Sequence, residues 1–266
     1  MLTLSASASN STHQALALTA NQLSSGKRIT SAAVDPAGLA AANALLTQAA
    51  GFTAGASNAQ SAIDASNVAQ GALVTISDAA RSLNTLAVAA NNDLLSASDR
   101  AALQTQAGQT TQAINGIAGS TQYNGVSLLA GSTPTDAVQT GANEGSTGAL
   151  SLPSSGTGAL GLSNVDLSSS SSASSFEHAT DAATAAIGSS QATLGSQTVA
   201  LGIDQQNSRT ASVNLTAAAS NIADTDVAKT ATKAAAAQTQ AQLQIALQIQ
   251  AGLAASSVLG YFAHSR

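Results

Sequence analysis

The sequence predicts a mainly α protein, an elongated coiled-coil helical bundle with a small β-hairpin and loop insert. Three observations lead there. Apolar or small side chains recur at alternating three- and four-residue steps over long stretches, the period of a seam between helices. One stretch runs Ala69, Leu73, Ile76, Ala80, Leu83, Ala87, Ala90; another runs Ala183, Ile187, Ser190, Leu194, Gln197, Leu201. Aromatic residues are only 2 % of the 266 and charged residues only 8 %, against roughly 25 % charged in ordinary soluble domains. A core built largely of alanine buries little area per residue, so assembly with further copies is the natural supplement to a marginal monomer. Finally, residues 132–175 change in kind. They hold Pro134, Pro153, many Gly and Ser, and the acids Asp136, Glu144 and Asp166 with no base, which reads as a surface insert or strand-and-loop tip.

The elements follow in order. Residues 3–30 read as a first helix with Leu16 and Leu23 on a shared face, closing around Gly26-Lys27-Arg28. Asp35-Pro36 is a start signal: the aspartate caps free amides and proline suits the first helical position. Periodic sequence then runs to about Ala90, tolerating Gly51, Gly55 and Gly71, each of which costs about 1 kcal/mol relative to Ala unless a close contact recovers it. Asn91-Asn92-Asp93 is a turn, and Ser96 with Asp99 resembles a capping box. The next helix carries Leu103, Ala107, Thr110, Ile114 and Ile117 at the same stagger. Asn124-Gly125 is a hairpin-turn pair, and the alternation of Leu160, Leu162 and Val165 allows short strands in the insert. Helix returns near Phe176 and runs to about Gln206. A further helical stretch begins near Val213. The C-terminal run with Leu243, Ile245, Leu247 and Ile249 is unusually apolar for an exposed end, which predicts burial against another chain.

Most chemistry is excluded. A net charge of −5, with eight scattered basic residues, argues against a phosphate-binding surface. There is no cysteine, and His13, His178 and His264 stand apart without partner ligands. No phosphate loop, serine elbow or zinc motif occurs. Asp224 and Asp226 read as capping or solvation, not as a catalytic dyad. No cofactor, metal, nucleic acid or membrane partner is expected, no run is long and apolar enough for a span, and the N-terminal stretch does not read as a cleavable secretory signal.

Several segments together resemble bacterial flagellin. Leu23-Ser-Ser-Gly-Lys-Arg-Ile29 is similar to the family's LSSG-x-R-I/L signature, and Val34-Asp-Pro-Ala-Gly-Leu-Ala40 to its DDAAGLA segment, from which Val34 and Pro36 depart. Asn58-Ala-Gln60, Val68–Leu73 and Leu86–Ala90 resemble its long helix, Thr121-Gln-Tyr-Asn-Gly125 its QT-x-FNG turn, and Gln139–Asn143 its IQ-x-GAN segment. Near the other end, Asn214–Ala218 and Asn221-Ile-Ala-Asp-Thr-Asp226 resemble NL-x-A-x-S-x-I-x-D-x-D. The order of these matches at both ends of a variable middle is what makes them specific.

The resemblance implies a helical homo-oligomer, the flagellar filament. Residues 1–33 and 223–266 would form an inner tube, 34–131 and 176–222 a rod, and 132–175 a variable, solvent-facing insert. It implies Leu73, Ile76, Leu83, Leu103, Ile114, Ile117, Ile187, Leu194 and Leu201 as rod core. Leu16, Leu23, Leu243, Leu247, Ile249 and Phe262 would pack the tube between subunits, and Asn124 and Gly125 would form the turn. It further implies hook-associated and cap proteins, the flagellar export apparatus and an export chaperone as partners, with extracellular placement and no cleavable signal. At the segment resembling the one sensed by the innate immune receptor, Asn84 and Thr85 replace an Arg-Glu pair, losing forked donors. The C-terminal Val258–Arg266 departs from the family's short Leu-rich end. A hook-associated junction protein, which shares the terminal pattern, is the alternative; an adhesive module displayed by 132–175 is another.

Overall fold

The computed structural model describes residues 2–131 and 136–264, and it excludes the side chains of residues 2–8, 136, 255 and 257–264. The elements are α1 (Leu2–Ser25), α2 (Pro36–Ala90), α3 (Ala97–Ser120), β1 (Gln122–Tyr123), β2 (Val126–Ser127), β3 (Asp136–Gln139), β4 (Thr147–Leu150), α4 (Ser170–Ala223) and α5 (Val227–His264). Two compact units divide the chain: residues 48–213, and residues 1–47 with 214–266. Helices α2 and α4 contribute to both.

The boundaries follow local chemistry. Asp35 Oδ1 accepts from Gly38 N at 2.8 Å, so α2 starts as the Asp-Pro pair predicts. Ser96 caps α3: its Oγ accepts from Asp99 N at 3.2 Å and donates to Asp99 Oδ2 at 2.7 Å. Helix α1 ends at Ser25 because Gly26 turns to φ 68°, the left-handed conformation that closes helices. The break expected between Gln206 and Val213 does not occur. Helix α4 runs through it, and the interruption falls at 224–226, where Asp226 Oδ1 accepts from Lys229 N at 3.0 Å to open α5. Asp224 and Asp226 therefore lie in this connection and not on helix faces.

In the unit of residues 48–213, α2 and α4 lie antiparallel in one register. Polar rungs mark it: Thr53 Oγ1 with Ser212 Oγ at 2.8 Å, Gln205 Nε2 to Gln60 Oε1 at 2.6 Å, and Ser66 Oγ with Thr198 Oγ1 at 2.9 Å. Asn84 Nδ2 completes the series on Thr180 Oγ1 at 2.9 Å. Between the rungs lie aliphatic layers that include Leu73, Ile76, Leu83, Ile187, Leu194 and Leu201, all buried. Polar groups at seam positions cost stability but penalise slipped pairings of otherwise similar small-residue helices.

Part of the segment expected to face solvent is instead packed into this core. Leu150, Leu160, Leu162 and Leu167 are buried in the same cluster as the helix layers. Leu160, Leu162 and Val165 form no strand; coil turns hold them, with Leu160 N bonded to Gly156 O and Leu162 N to Thr157 O. The strands are β3 and β4, paired antiparallel with Gln139 opposite Thr147. Side-chain amides fasten the segment to the helices. Gln104 donates to Val165 O and accepts from Leu167 N, both at 2.6 Å; Asn115 Oδ1 accepts from Thr157 N at 2.9 Å; Gln197 Oε1 accepts from Ser151 N at 3.0 Å. The β3–β4 turn rests on α2 where Gly51 and Gly55 leave room. A Cβ at Gly51 would lie 2.8 Å from Ala142 Cβ, and one at Gly55 2.5 Å from the Thr140 carbonyl carbon. Two of the four glycines of α2 thus accept a loop's backbone; Gly71 faces open space.

Candidate assembly surface

The unit of residues 1–47 and 214–266 is organised by one arginine. Arg28 N and Ile29 N donate to Ala223 O, the last carbonyl of α4, at 2.8 and 3.3 Å, and Thr225 N donates to Gly26 O at 3.0 Å. The Arg28 guanidinium reaches Ile222 O through Nε at 3.1 Å and Nη2 at 2.6 Å, and Asp35 Oδ2 at 3.3 Å. A cation therefore sits at the C-terminus of α4 and an anion at the N-terminus of α2, each on the favourable end of its helix dipole. The Gly38 amide bond, and secondarily Arg28, holds the Asp35 carboxyl below its usual range. A forked side chain is what this junction needs, because it must serve a carbonyl and a carboxylate at once.

Beyond the junction α1 pairs with α5. The buried seam is Thr12 and Thr19 from α1 with Thr230, Ala237 and Ala241 from α5. Leu16 and Leu23 are half-buried beside it, and Gln244 Nε2 donates to Thr12 Oγ1 at 3.0 Å. Small side chains let the backbones approach but bury little apolar area; at about 0.8 kcal/mol per buried CH₂, each alanine or threonine contributes far less than a leucine. The cluster where α2 and α4 meet in this unit is equally thin, consisting of Ala42, Ala219 and Ala223 with Leu45 and Ile222 against them.

Five large aliphatic side chains of α5 point elsewhere. Leu243, Ile245, Leu247, Ile249 and Leu253 are 48–66 % exposed. At about 100° per residue, Leu243 and Leu247 lie to one side of the line through Ala237, Ala241 and Gln244. Ile245, Ile249 and Leu253 lie to the other. Among its described residues, the helix is thus apolar on both flanks of the seam it makes with α1, and those flanks are uncovered. The side chain of Phe262 lies outside the described residues, as does that of Tyr261.

The chain matches the model of the bacterial flagellin N-terminal helical region over residues 1–133 and that of the C-terminal helical region over 178–262. It belongs to the bacterial flagellins. Its relatives include a phase 2 flagellin of Salmonella abortus-equi, 35 % identical over 158 residues that make up 59 % of this chain and 31 % of that one. A flagellin of Serratia marcescens is 33 % identical over 171 residues, 64 % of this chain and 48 % of that one. The crystal structure of Bacillus cereus flagellin superposes with a TM-score of 0.50 at 26 % identity, covering 57 % of this chain and 88 % of that one. The match thus spans about a third of the Salmonella protein and about half of the Serratia one.

Within this flagellin the signature-like segments acquire physical work. Gly26, Lys27 and Arg28 build the junction just described, with Lys27 and Asp224 paired through their backbones as an isolated antiparallel bridge. Gln139–Asn143 is the loop docked on Gly51 and Gly55, where Gln139 O accepts from Asn58 Nδ2 at 3.1 Å. Asn124 and Gly125 form the turn between β1 and β2 with φ of 49° and 78°.

Of the residues expected in the rod core, Leu73, Ile76, Leu83, Ile114, Ile187, Leu194 and Leu201 are buried, and Leu103 and Ile117 are partly buried against the same cluster. Asn84 is not a free surface group: besides Thr180, its amide donates to Asp181 Oδ1 at 2.9 Å. Thr85 is exposed and donates to Arg81 O at 3.0 Å. Arg100 went unassigned by sequence reasoning. It is buried and donates to Ala90 O and, at 2.8 Å, to Asn92 O, closing the C-terminus of α2. Its only sequence trace is an arginine in the first turn of α3, a place where a cation is unfavourable to its own helix.

Proposed function

We propose that this chain is a structural subunit that polymerises into the bacterial flagellar filament for motility, and that it carries no catalytic role. The observation that carries the reading is the aliphatic flanking of α5. Leu243, Ile245, Leu247, Ile249 and Leu253 stand exposed on either side of a seam too poor in apolar area to hold two long helices by itself. Neighbouring copies covering those flanks supply what a single copy lacks. Residues 1–33 and 223–266 then serve as the tube, with Leu16, Leu23, Leu243, Leu247, Ile249 and Phe262 packing between subunits. Residues 34–131 and 176–222 serve as the rod, with the aliphatic layers of α2, α3 and α4 as its internal core.

The same reading places the protein outside the cell on the flagellum. Export would proceed through the flagellar apparatus without a cleavable signal, with an export chaperone on the C-terminal helix and hook-associated and cap proteins at the filament ends. The packing of residues 137–169 into the rod core leaves a separately displayed adhesive module with little support. Asn84 and Thr85, in place of an Arg-Glu pair, together with the engagement of Asn84 by α4, imply weak innate-receptor recognition; full potency in a dose-response reporter assay would refute that.

The test of assembly is direct. Leu243→Asp, Leu247→Asp and Ile249→Asp should each abolish sedimentable filaments while the circular dichroism of the monomer stays helical. Wild-type filament yield from these variants would overturn the reading. Polymerisation of the purified chain alone separates a filament subunit from a hook-associated junction protein, which would need a preformed end.

A further inference from the structure

The chain holds two Asn-Gly pairs, Asn115-Gly116 and Asn124-Gly125, and the fold treats them in opposite ways. Asn115 lies inside α3, where its Oδ1 accepts from Thr157 N at 2.9 Å and from Thr157 Oγ1 at 3.0 Å. The Gly116 amide belongs to the same helix, so neither reacting group is free to move. Asn124 and Gly125 are the two residues between paired Tyr123 and Val126. Both are exposed, and nothing lies within 4 Å of a Cβ built on Gly125. In a two-residue hairpin turn the N–H of the second turn residue takes no part in the ladder. The Gly125 nitrogen therefore has no side chain shielding it and no ladder bond to give up.

We propose that Asn124 is a site of spontaneous covalent modification, in which the Gly125 nitrogen cyclises onto the Asn124 side chain while Asn115 is spared. The deprotonated Gly125 nitrogen attacks Asn124 Cγ, the new N–Cγ bond forms, and Nδ2 leaves as ammonia with the transferred proton, giving a succinimide. Solvent water then adds to one of the two ring carbonyls and the C–N bond there breaks. Opening at Cγ regenerates the normal backbone with aspartate; opening at the main-chain carbonyl gives isoaspartate, with the chain routed through the side-chain carbon. No oxidant or metal is needed.

The consequence is structural. Isoaspartate adds a methylene to the main chain inside a turn that sets the pairs Gln122–Ser127 and Tyr123–Val126. That strand leads directly into Leu128 and Leu129, both buried, with Leu128 N bonded to Thr121 O at 2.9 Å. A chain aged in this way loses the register of the β1–β2 hairpin.

The experiment is peptide mapping by mass spectrometry of the intact, purified chain incubated at mildly alkaline pH, with isoaspartate scored by isoaspartyl methyltransferase labelling. A parallel incubation in guanidinium chloride serves as the unfolded reference. The expected result is conversion at Asn124 at least about tenfold faster than at Asn115 in the folded chain, because reaction at Asn115 requires opening of α3. In the denaturant the two sites should converge. Equal rates in the folded chain, or a folded Asn124 that stays intact while the unfolded one converts, would overturn the proposal.

Discussion

Replacing Gly55 by alanine should destabilise the protein, although the same change at Gly71 in the same helix should stabilise it. In a helix interior, Gly→Ala is worth about 0.5–1 kcal/mol in favour of alanine. Gly71 meets nothing within 4 Å, so it should show that gain undiluted. At Gly55 the new Cβ would lie 2.5 Å from the Thr140 carbonyl carbon and 2.8 Å from Gly141 N. Ordinary carbon contacts lie at about 3.5–4.0 Å, so the loop must retreat by roughly 1 Å. It is not free to do so. Thr140 O accepts from Ser208 Oγ at 2.6 Å, Thr140 N donates to Ser146 O at 2.9 Å, and Gln139 O accepts from Asn58 Nδ2 at 3.1 Å. Overpacking costs about 1–3 kcal/mol, and losing the buried Ser208 bond costs about 1 kcal/mol more. After the helix-propensity gain, a net loss of about 1–3 kcal/mol remains. Urea unfolding of the full chain, followed by circular dichroism with the m-values compared, measures both variants. A Gly55→Ala protein as stable as Gly71→Ala would mean that the loop is not seated on α2, and the account of the insert would fail.

Three further outcomes follow from the structure. Arg28→Met keeps the apolar stem but removes the donors to Ile222 O and Asp35, and should loosen the ends of α2 and α4 by about 0.5–1.5 kcal/mol; hydrogen exchange at the Gly38 and Asp224 amides reads this, and unchanged protection would refute the junction. The Asp35 carboxyl titrates below its ordinary value because the Gly38 amide and Arg28 favour its charged form. Its contribution is therefore full above the unfolded carboxylate pKa of about 3.9 and disappears as pH falls through the lower folded value; Asp35→Asn should flatten the acid dependence of Gly38 amide protection. Residues 48–213 hold ten of the thirteen acidic side chains and three of the eight basic ones, while the other unit holds three acids and five bases. The net-negative 48–213 units of neighbouring copies repel one another at low ionic strength, so the polymerisation rate followed by light scattering should rise with salt over the range where the Debye length shortens from about 30 to 10 Å; a rate that fell would contradict this.

The sequence was most legible where a contact is made between near neighbours in the chain. Asp35 with Gly38, Ser96 with Asp99 and the Asn124-Gly125 turn are settled within four residues, and each has a single physical solution. The seam residues of α2 and α4 were equally readable, because helical period alone places Leu73, Ile76 and Leu83 on one stripe of α2 and Ile187, Leu194 and Leu201 on one stripe of α4. The insert was misread because its alternation at Leu160, Leu162 and Val165 imitates a strand. Whether such a run pairs or coils depends on acceptors as distant as Gln104 and Asn115. Arg100 was invisible for the same reason, since its partners are the carbonyls of a different helix.

By itself the sequence determined most of the helical stretches, the starts of α2 at Asp35 and of α3 at Ser96, and the apolar stripes of α2 and α4, because propensity, capping and period act over a few residues. Only the tertiary structure decided that Gly51 and Gly55 seat a loop while Gly71 seats nothing, that the leucines of the insert join the core, and that α5 turns small residues toward α1 and Leu243, Ile245, Leu247, Ile249 and Leu253 away. Those outcomes depend on which surfaces meet across many tens of residues, and no local preference carries that information.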